Sequence, residues 1–198
     1  MKNSDKRFSD QKKFAMSRLE KAINKGEVDH AILSLIKYIN SLDDFYTTST
    51  CSGRIALLQD VGSKKENFHL AKWHRNVKFP ELKSVIVGLP TKGITWFIQE
   101  SSIMHIVSRN FDGGANLLRL ALSNGFKHSG FQGLKDGRFV VEICSSERME
   151  VPIASNGSLL VSDEYLRYLL NLANKKFSKS QQRLKKFEKV LKRKLRES

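Results

Sequence analysis

Apolar residues recur along this chain in two rhythms, a return every three or four positions near its two ends and a stricter alternation between them. Residues 8 to 25 have helical spacing and end at Gly26. Asp29 is placed to cap a second helix with the stripe Ile32, Leu35, Ile36 and Ile39. Phe45, Tyr46 and the threonines after them favour extended backbone, and Ile55 to Leu58 read as a buried strand beyond Gly53. Val61 to Lys65 is basic, contains glycine and lacks a pattern, which predicts a mobile loop, and His69 to Arg75 reads as another short strand. Phe79-Pro80-Glu81 marks a helix start that Gly88 closes. Ile94 to Ile98 and Ile103 to Ser108 alternate as two more strands.

Asp112-Gly113-Gly114 opens a helix carrying Leu117, Leu118, Leu120, Ala121 and Leu122, which stops at Asn124-Gly125. Phe126 to Leu134 and Arg138 to Ser145 flank Lys135-Asp136-Gly137, and Val151 to Ala154 and Leu159 to Val161 flank Asn156-Gly157; both are hairpin signals. Ser162 caps a final helix with Asp163 and Glu164 in its first turn. Its apolar positions Leu166, Leu170, Ala173, Phe177, Leu184, Phe187, Leu191 and Leu195 keep near-heptad spacing to the end of the chain. At 1.5 Å per residue that helix is roughly 50 Å long. Helices interleave with strands joined by tight hairpins, so the pattern predicts an α+β fold with a mixed or antiparallel sheet flanked by helices. A single domain over 1–174 and a basic helical extension over 175–198 are expected.

Charge changes the picture most. The 198 residues carry 35 Lys and Arg against 20 Asp and Glu, a formal net charge of +15, which points to a polyanionic partner, nucleic acid first. Residues 175 to 198 hold eleven Lys or Arg and two Glu, a net of +9. RNA or DNA contact through this helix is therefore expected, with a solvated structural helix as the plainer alternative. Anionic lipid is disfavoured, because the apolar face is spaced for packing on protein and no lipidation motif accompanies it. Cys51 and Cys144 are the only cysteines, which excludes a cysteine-held zinc or iron–sulfur cluster and fits a reducing compartment. The start of the chain has no apolar signal core and no apolar run approaches membrane-spanning length, so a cytoplasmic protein is expected.

The run Thr47-Thr48-Ser49-Thr50-Cys51-Ser52-Gly53-Arg54-Ile55 packs hydroxyls, a thiol, a glycine and an arginine between two strand-like segments. Such a turn leaves backbone N–H groups for an anion or polar ligand, and Arg54 adds a planar cation suited to a carboxylate or phosphate; the plain alternative is a polar hairpin turn. His105 lies in the alternation Ile103, His105, Val107, Arg109 and so shares a face with Arg109, about 13 Å along the strand. It reads either as a base or as a core histidine satisfied by a carbonyl. Lys127 and Ser129 fall on one strand face and His128 on the other, before Gly130, where a backbone can approach closely; a basic sheet edge is the alternative. Cys51 as a nucleophile lacks a neighbouring histidine. His69 and His74 fall on opposite strand faces, so no shared metal site is expected. Asp112-Gly113-Gly114-Ala115-Asn116 lacks the dinucleotide-fold glycine spacing, and no phosphate-binding loop, His-Glu-x-x-His or Gly-x-Ser-x-Gly occurs.

Composition and spacing give a nucleic-acid partner and three polar clusters, but no reaction. A resemblance adds one. Ile39-Asn40 through Phe45-Tyr46-Thr47-Thr48-Ser49-Thr50-Cys51-Ser52-Gly53-Arg54-Ile55 resembles the signature of the tRNA wybutosine-synthesizing protein 3 family. Three further blocks agree in order: Met104-His105-Ile106-Val107-Ser108-Arg109; Ser123-Asn124-Gly125-Phe126-Lys127-His128-Ser129-Gly130; and Glu150-Val151-Pro152 continuing to Ser162-Asp163-Glu164-Tyr165-Leu166 and Asn171-Leu172-Ala173-Asn174. The likeness covers about residues 10 to 190. It implies an S-adenosylmethionine-dependent methyltransferase, outside the usual methyltransferase fold, that methylates a ring nitrogen (nitrogen 4) of the tricyclic guanine-derived base beside the anticodon of phenylalanine tRNA. The anticodon stem-loop of that tRNA is then the partner, with no membrane and no metal.

By position, the resemblance implicates Ser49, Cys51, Gly53 and Arg54 in one motif, His105 and Arg109 in a second, Ser129 and Gly130 in a third, and Ser145, Glu150 and Pro152 in a fourth. Ser49, Cys51, Ser52, Gly53 and Arg54 are expected at the cofactor, and Arg109, Lys127, His128, Ser129, Gly130, Ser145 and Glu150 at the substrate. Arg54 suits the methionine carboxylate, and His105, with an intrinsic pKa near 6.5, is the residue suited to take the proton. Relatives admit Ala at position 52, so the Ser52 hydroxyl is not expected to be essential; Cys144 stands where eukaryotic relatives often carry Arg. Trp73 or Trp96 is sized to stack on an unstacked base, with core packing as the alternative fate of each. The competing class is a non-enzymatic RNA-binding module using the same basic helix. A nuclease would need a metal-binding carboxylate cluster or paired histidines, and neither is visible.

Overall fold

Every strand pairing in the computed structural model is antiparallel, and the described residues are 3–135 and 137–194. In chain order the elements are α1 (Asn3–Asn24), α2 (His30–Ser41), β1 (Phe45–Cys51), β2 (Arg54–Asp60), β3 (Phe68–Trp73), α3 (Phe79–Ile86), β4 (Ile94–Glu100), β5 (Ile103–Ser108), α4 (Phe111–Ser123), β6 (Gly130–Lys135), β7 (Arg138–Cys144), β8 (Met149–Ser155), β9 (Ser158–Leu159) and α5 (Asp163–Lys194). The α+β expectation is met by two antiparallel sheets rather than one. Asp136 and Leu195, which entered the expected hairpin and the expected apolar stripe, lie outside the described residues.

The chain divides into two compact units, each built from separate stretches of sequence. The first comprises the described residues of 1–52, 102–146 and 181–198, and holds a four-stranded sheet in the order β1-β5-β7-β6. One face of that sheet buries Phe45, Met104, Ile106, Val141 and Ile143 against α2, α4 and the end of α5. On the opposite face Tyr46, Val107 and Val140 pack against Phe8 of α1, whose ring meets Tyr46 edge-on at 5.2 Å. The second unit comprises 53–101 and 147–180, with the sheet order β3-β2-β4-β8-β9. Its core joins Ile55, Leu57, Phe97 and Ile153 to Leu82 and Ile86 of α3 and to the first half of α5.

Local chemistry explains most boundaries. Gly26 follows α1 with φ of +69°, and Ser162 Oγ accepts from Tyr165 N–H at the start of α5. Asn156 and Gly157 both adopt positive φ, 48° and 83°, as a two-residue hairpin requires. Asp29 departs from expectation. Its side chain makes no cap bond in α2 and accepts instead from Ser52 N–H at 2.8 Å. Residues 126–129, read above as strand, form a turn in which Ser129 N–H bonds Phe126 C=O, so the strand begins at Gly130.

The expected boundary at 174/175 falls inside α5, which continues without a break. Leu166, Leu169, Leu170, Ala173 and Phe177 are buried in the second unit, and Leu184, Phe187 and Leu191 in the first. The basic end of the helix thus supplies core side chains, and Phe187 meets Phe126 at 5.1 Å. Phe187→Ala should therefore cost about 3–5 kcal/mol in a urea titration, and a chain ended after Lys176 should fail to fold. A removable tail would show neither loss.

Candidate active site

Directly opposed residues of antiparallel strands project from the same sheet face. In the first unit, Ser49 of β1 is opposite His105 of β5, His105 opposite Glu142 of β7, and Glu142 opposite Gly130 of β6. One register row therefore carries Ser49, His105, Glu142 and Gly130 across all four strands, on the face of Val107 and Val140. The next row sets Cys51 and Cys144 on either side of Ile103. Three of the four motifs singled out in the sequence meet in or beside these two rows.

A bulge aligns the row. Thr47 pairs with Ile106, on the core face, yet the next pair is Ser49 with His105, so Thr48 is the extra residue. Buried Asn40 of α2 fixes the residue before the bulge from both sides: its Oδ1 accepts from Thr47 N–H and its Nδ2 donates to Thr47 Oγ1, each at 2.8 Å. Beyond β1, Ser52 N–H donates to Asp29, and Ser52 C=O accepts from Gln181 Nε2 of α5 at 2.5 Å. The hydroxyl-rich end of β1 is thus pinned at both ends by side chains from helices.

His105 Nε2 and Glu142 Oε2 are 2.8 Å apart, with side chains 28% and 21% exposed. A carboxylate on one imidazole nitrogen fixes the ring and its tautomer, leaving Nδ1 as the nitrogen able to exchange a proton. Glu142 was missed in the sequence because, in Val140-Val141-Glu142-Ile143, it reads as an ordinary outward-facing strand residue. Only the register reveals its partner, 37 positions away.

Two features, one just beyond β1 and one on the row itself, are unfilled by protein. Ser52 Oγ is buried and has no hydrogen-bond partner among the described residues. Gly130 has no positive φ, and a Cβ built on it meets nothing within 4 Å, so neither backbone shape nor packing demands glycine there. Beside it, Ser129 Oγ donates to Phe126 C=O and accepts from Cys144 N–H, which ties the turn to β7. Lys127 and His128 are exposed on that turn. Buried Ser145 receives Arg183 of α5 at its hydroxyl.

Arg109 does not share the face of His105. The strand ends at Ser108, and Arg109 turns back to donate to Asp44 at 2.6 Å and Asp5 at 3.4 Å while lying 4.5 Å over the Phe8 ring. These contacts are those of a residue anchoring α1. The other half of the first motif belongs to the second unit. Gly53 has φ of +99°, closed to most side chains, and its C=O lies 3.0 Å from His74 Nδ1. Arg54 faces Glu100 across β2 and β4 and is ion-paired with it through Nε. Burial holds His69 below the ordinary histidine range, with the Arg54 and Lys72 charges acting in the same direction. Glu150 is exposed and pairs with Arg148 at 2.7 Å, and Pro152 lies opposite Trp96. Trp73 packs against the core of the second unit.

The family model described as methyltransferase TYW3 matches residues 10–193. The tRNA(Phe) 7-((3-amino-3-carboxypropyl)-4-demethylwyosine(37)-N(4))-methyltransferase of Thermococcus sibiricus is 40% identical over 186 residues, covering 93% of this chain and 94% of that one. The protein of the same name from Archaeoglobus fulgidus is 39% identical over 172 residues, 86% of each chain. Among solved structures, the PH1069 protein of Pyrococcus horikoshii aligns with a TM-score of 0.88 at 37% identity, over 94% of this chain and 96% of that one. A hypothetical protein from Aeropyrum pernix aligns at 0.72 and 28% identity, over 82% and 96%.

Asn40→Ala should leave two buried groups of Thr47 unpaired and cost at least about 1–3 kcal/mol. Hydrogen exchange should show the Thr47 amide losing protection more than the amides of β7. Uniform protection across the sheet would mean that Asn40 does not hold the bulge.

Proposed function

The chain belongs to the methyltransferase TYW3 family, and from that premise we propose that it methylates nitrogen 4 of a 4-demethylwyosine-type base, bearing a 3-amino-3-carboxypropyl group, at position 37 of tRNA(Phe). The observation that carries the reading is the Ser49–His105–Glu142–Gly130 row, which brings family-motif residues from three separate segments onto one sheet face.

The methyl donor would be S-adenosylmethionine, which supplies an electrophilic methyl group on a sulfonium centre. The residues present fit such a donor: the buried Ser52 hydroxyl lacks a protein partner, the space over Gly130 is open, and the adjoining donor set joins hydroxyls to a carboxylate. Ser49 and Ser52 are the residues of this unit that would hold it, with Cys51 beside them. The chain's own chemical task is small. Transfer to a ring nitrogen needs the acceptor held in line and one proton removed. His105 Nδ1 takes that proton, while Glu142 keeps Nε2 protonated and stabilises the imidazolium that forms. In the second unit, Arg54 retains guanidinium donors beyond the Nε given to Glu100, suited to an anionic group.

Incubation with S-adenosylmethionine labelled in the methyl group and tRNA(Phe) from a strain lacking this step should place one methyl group on the tricyclic base, read by nucleoside mass spectrometry. Methylation of plain guanine, or no transfer by folded protein, would overturn the reading. RNA binding without any heat on titration with S-adenosylmethionine would favour a binding module instead. Gly130→Val should leave the melting temperature unchanged or raised, because a β-branched residue suits a strand and its Cβ has nothing within 4 Å, while transfer falls at least about tenfold. Equal activity in that variant would mean that nothing occupies the space over Gly130.

A further inference from the structure

Cations in the first unit are distributed unevenly around the end of α5. Phe187, Leu184 and Leu191 face the core, and Lys192 is engaged by Glu188 at 2.5 Å. Lys186, Lys189 and Arg193 lie three and four residues apart, which sets them along one stripe, and all three are exposed. No ion pair or hydrogen bond occupies any of them among the described residues. Over seven residues the stripe runs about 10 Å.

The stripe lies on the side of α5 turned away from the core, and the turn after α4 joins that helix to the edge strand β6. The turn after α4 packs directly on α5: Phe126 stacks edge-on against Phe187, and Gly125 passes so close to Arg183 that a Cβ there would sit 2.9 Å from Nε. The next two residues, Lys127 and His128, are exposed. Then His128 N–H bonds Cys144 C=O, Ser129 is tied to Cys144, and Gly130 stands opposite Glu142. Three unengaged cations on α5 are thus followed by Lys127, whose Nζ donates to Leu122 C=O at 3.1 Å, and by His128 at the sheet edge that begins with Gly130.

We propose that Lys186, Lys189, Arg193 and the Lys127–His128 turn form a track for the phosphodiester backbone of the RNA strand that carries the base to be methylated. The identity of the partner follows from charge complementarity in a chain of net charge +15, and from the absence of any exposed apolar side on this stretch of helix with which to enter a lipid surface. The track rests on the reading that RNA is the substrate, and it deepens that reading by making position on the backbone, rather than the modified base, the source of most affinity.

The test measures binding of an unmodified tRNA(Phe) transcript without methyl donor, across a salt series. Lys186→Glu/Lys189→Glu/Arg193→Glu should bind at least about tenfold more weakly at low salt, and its log–log salt slope should flatten by about two to three units, using 0.7–0.9 per lost phosphate contact. The control, Lys13→Glu and Lys21→Glu on α1 with Lys25→Glu just after it, all three exposed, changes net charge equally and should keep the wild-type slope; circular dichroism verifies that both variants are folded. Equal weakening by the two variants would reduce the track to net charge and overturn it. An unchanged slope in the α5 variant would also overturn it, and loss of binding to phosphatidylserine vesicles with RNA binding intact would assign the stripe to a membrane. Because no methyl transfer enters the measurement, failure of the proposed reaction leaves this result readable by itself.

Discussion

The geometry of the first unit hangs on the two hydrogen bonds between Asn40 and Thr47. A strand has a side-chain period of two, so a slip of one residue would turn every side chain of β1 to the other face. Asn40 holds Thr47 toward the core and forces the extra residue onto Thr48, after which Ser49 emerges beside His105. A buried amide satisfied through both its ends is specific in a way that apolar contact is not, since only one register lets the backbone N–H and the hydroxyl reach it together. The Ser49–His105–Glu142–Gly130 row is the downstream result of a bond pair on the far side of the sheet.

Most elements were legible because each had local punctuation: Gly26 after α1, Asn156-Gly157 between β8 and β9, Ser162 before α5. What stayed hidden depended on contacts distant in sequence. The pairing of His105 with Glu142 requires knowing that β5 and β7 are neighbours in a given register, and periodicity within either strand is silent about that. Arg109 was placed on the face of His105 by continuing an alternation one residue too far; Asp44 and Asp5 capture it where the strand ends. The Phe126–Ser129 segment has strand-like composition, but closes as a turn because Phe126 is drawn into the core against Phe187. The family motifs, by contrast, are readable residue by residue, and three of them meet in or beside the Ser49–His105–Glu142–Gly130 row.

Helix α5 shows why charge alone misleads about architecture. Its basic composition suggests an extension held out in solvent, yet the apolar positions at every third or fourth residue are filled in two cores. Hydrophobic burial fixes the helix's orientation about its own axis, and that orientation decides which cations remain outside. Core packing and a polyelectrolyte surface are consequently two outputs of one periodic pattern.

The row after that of His105 places Cys51 and Cys144 on either side of Ile103. With strands spaced by about 4.8 Å, their Cα atoms lie roughly 10 Å apart, beyond the 7 Å or so that a disulfide can span. Oxidative stress therefore has no harmless intramolecular outlet at this face. Each thiol can only advance separately to sulfenic acid or join an outside thiol, and either product adds polar bulk one row from His105. The same two residues that give the face small, soft surroundings make it chemically vulnerable, and make its state depend on the reducing power of its surroundings.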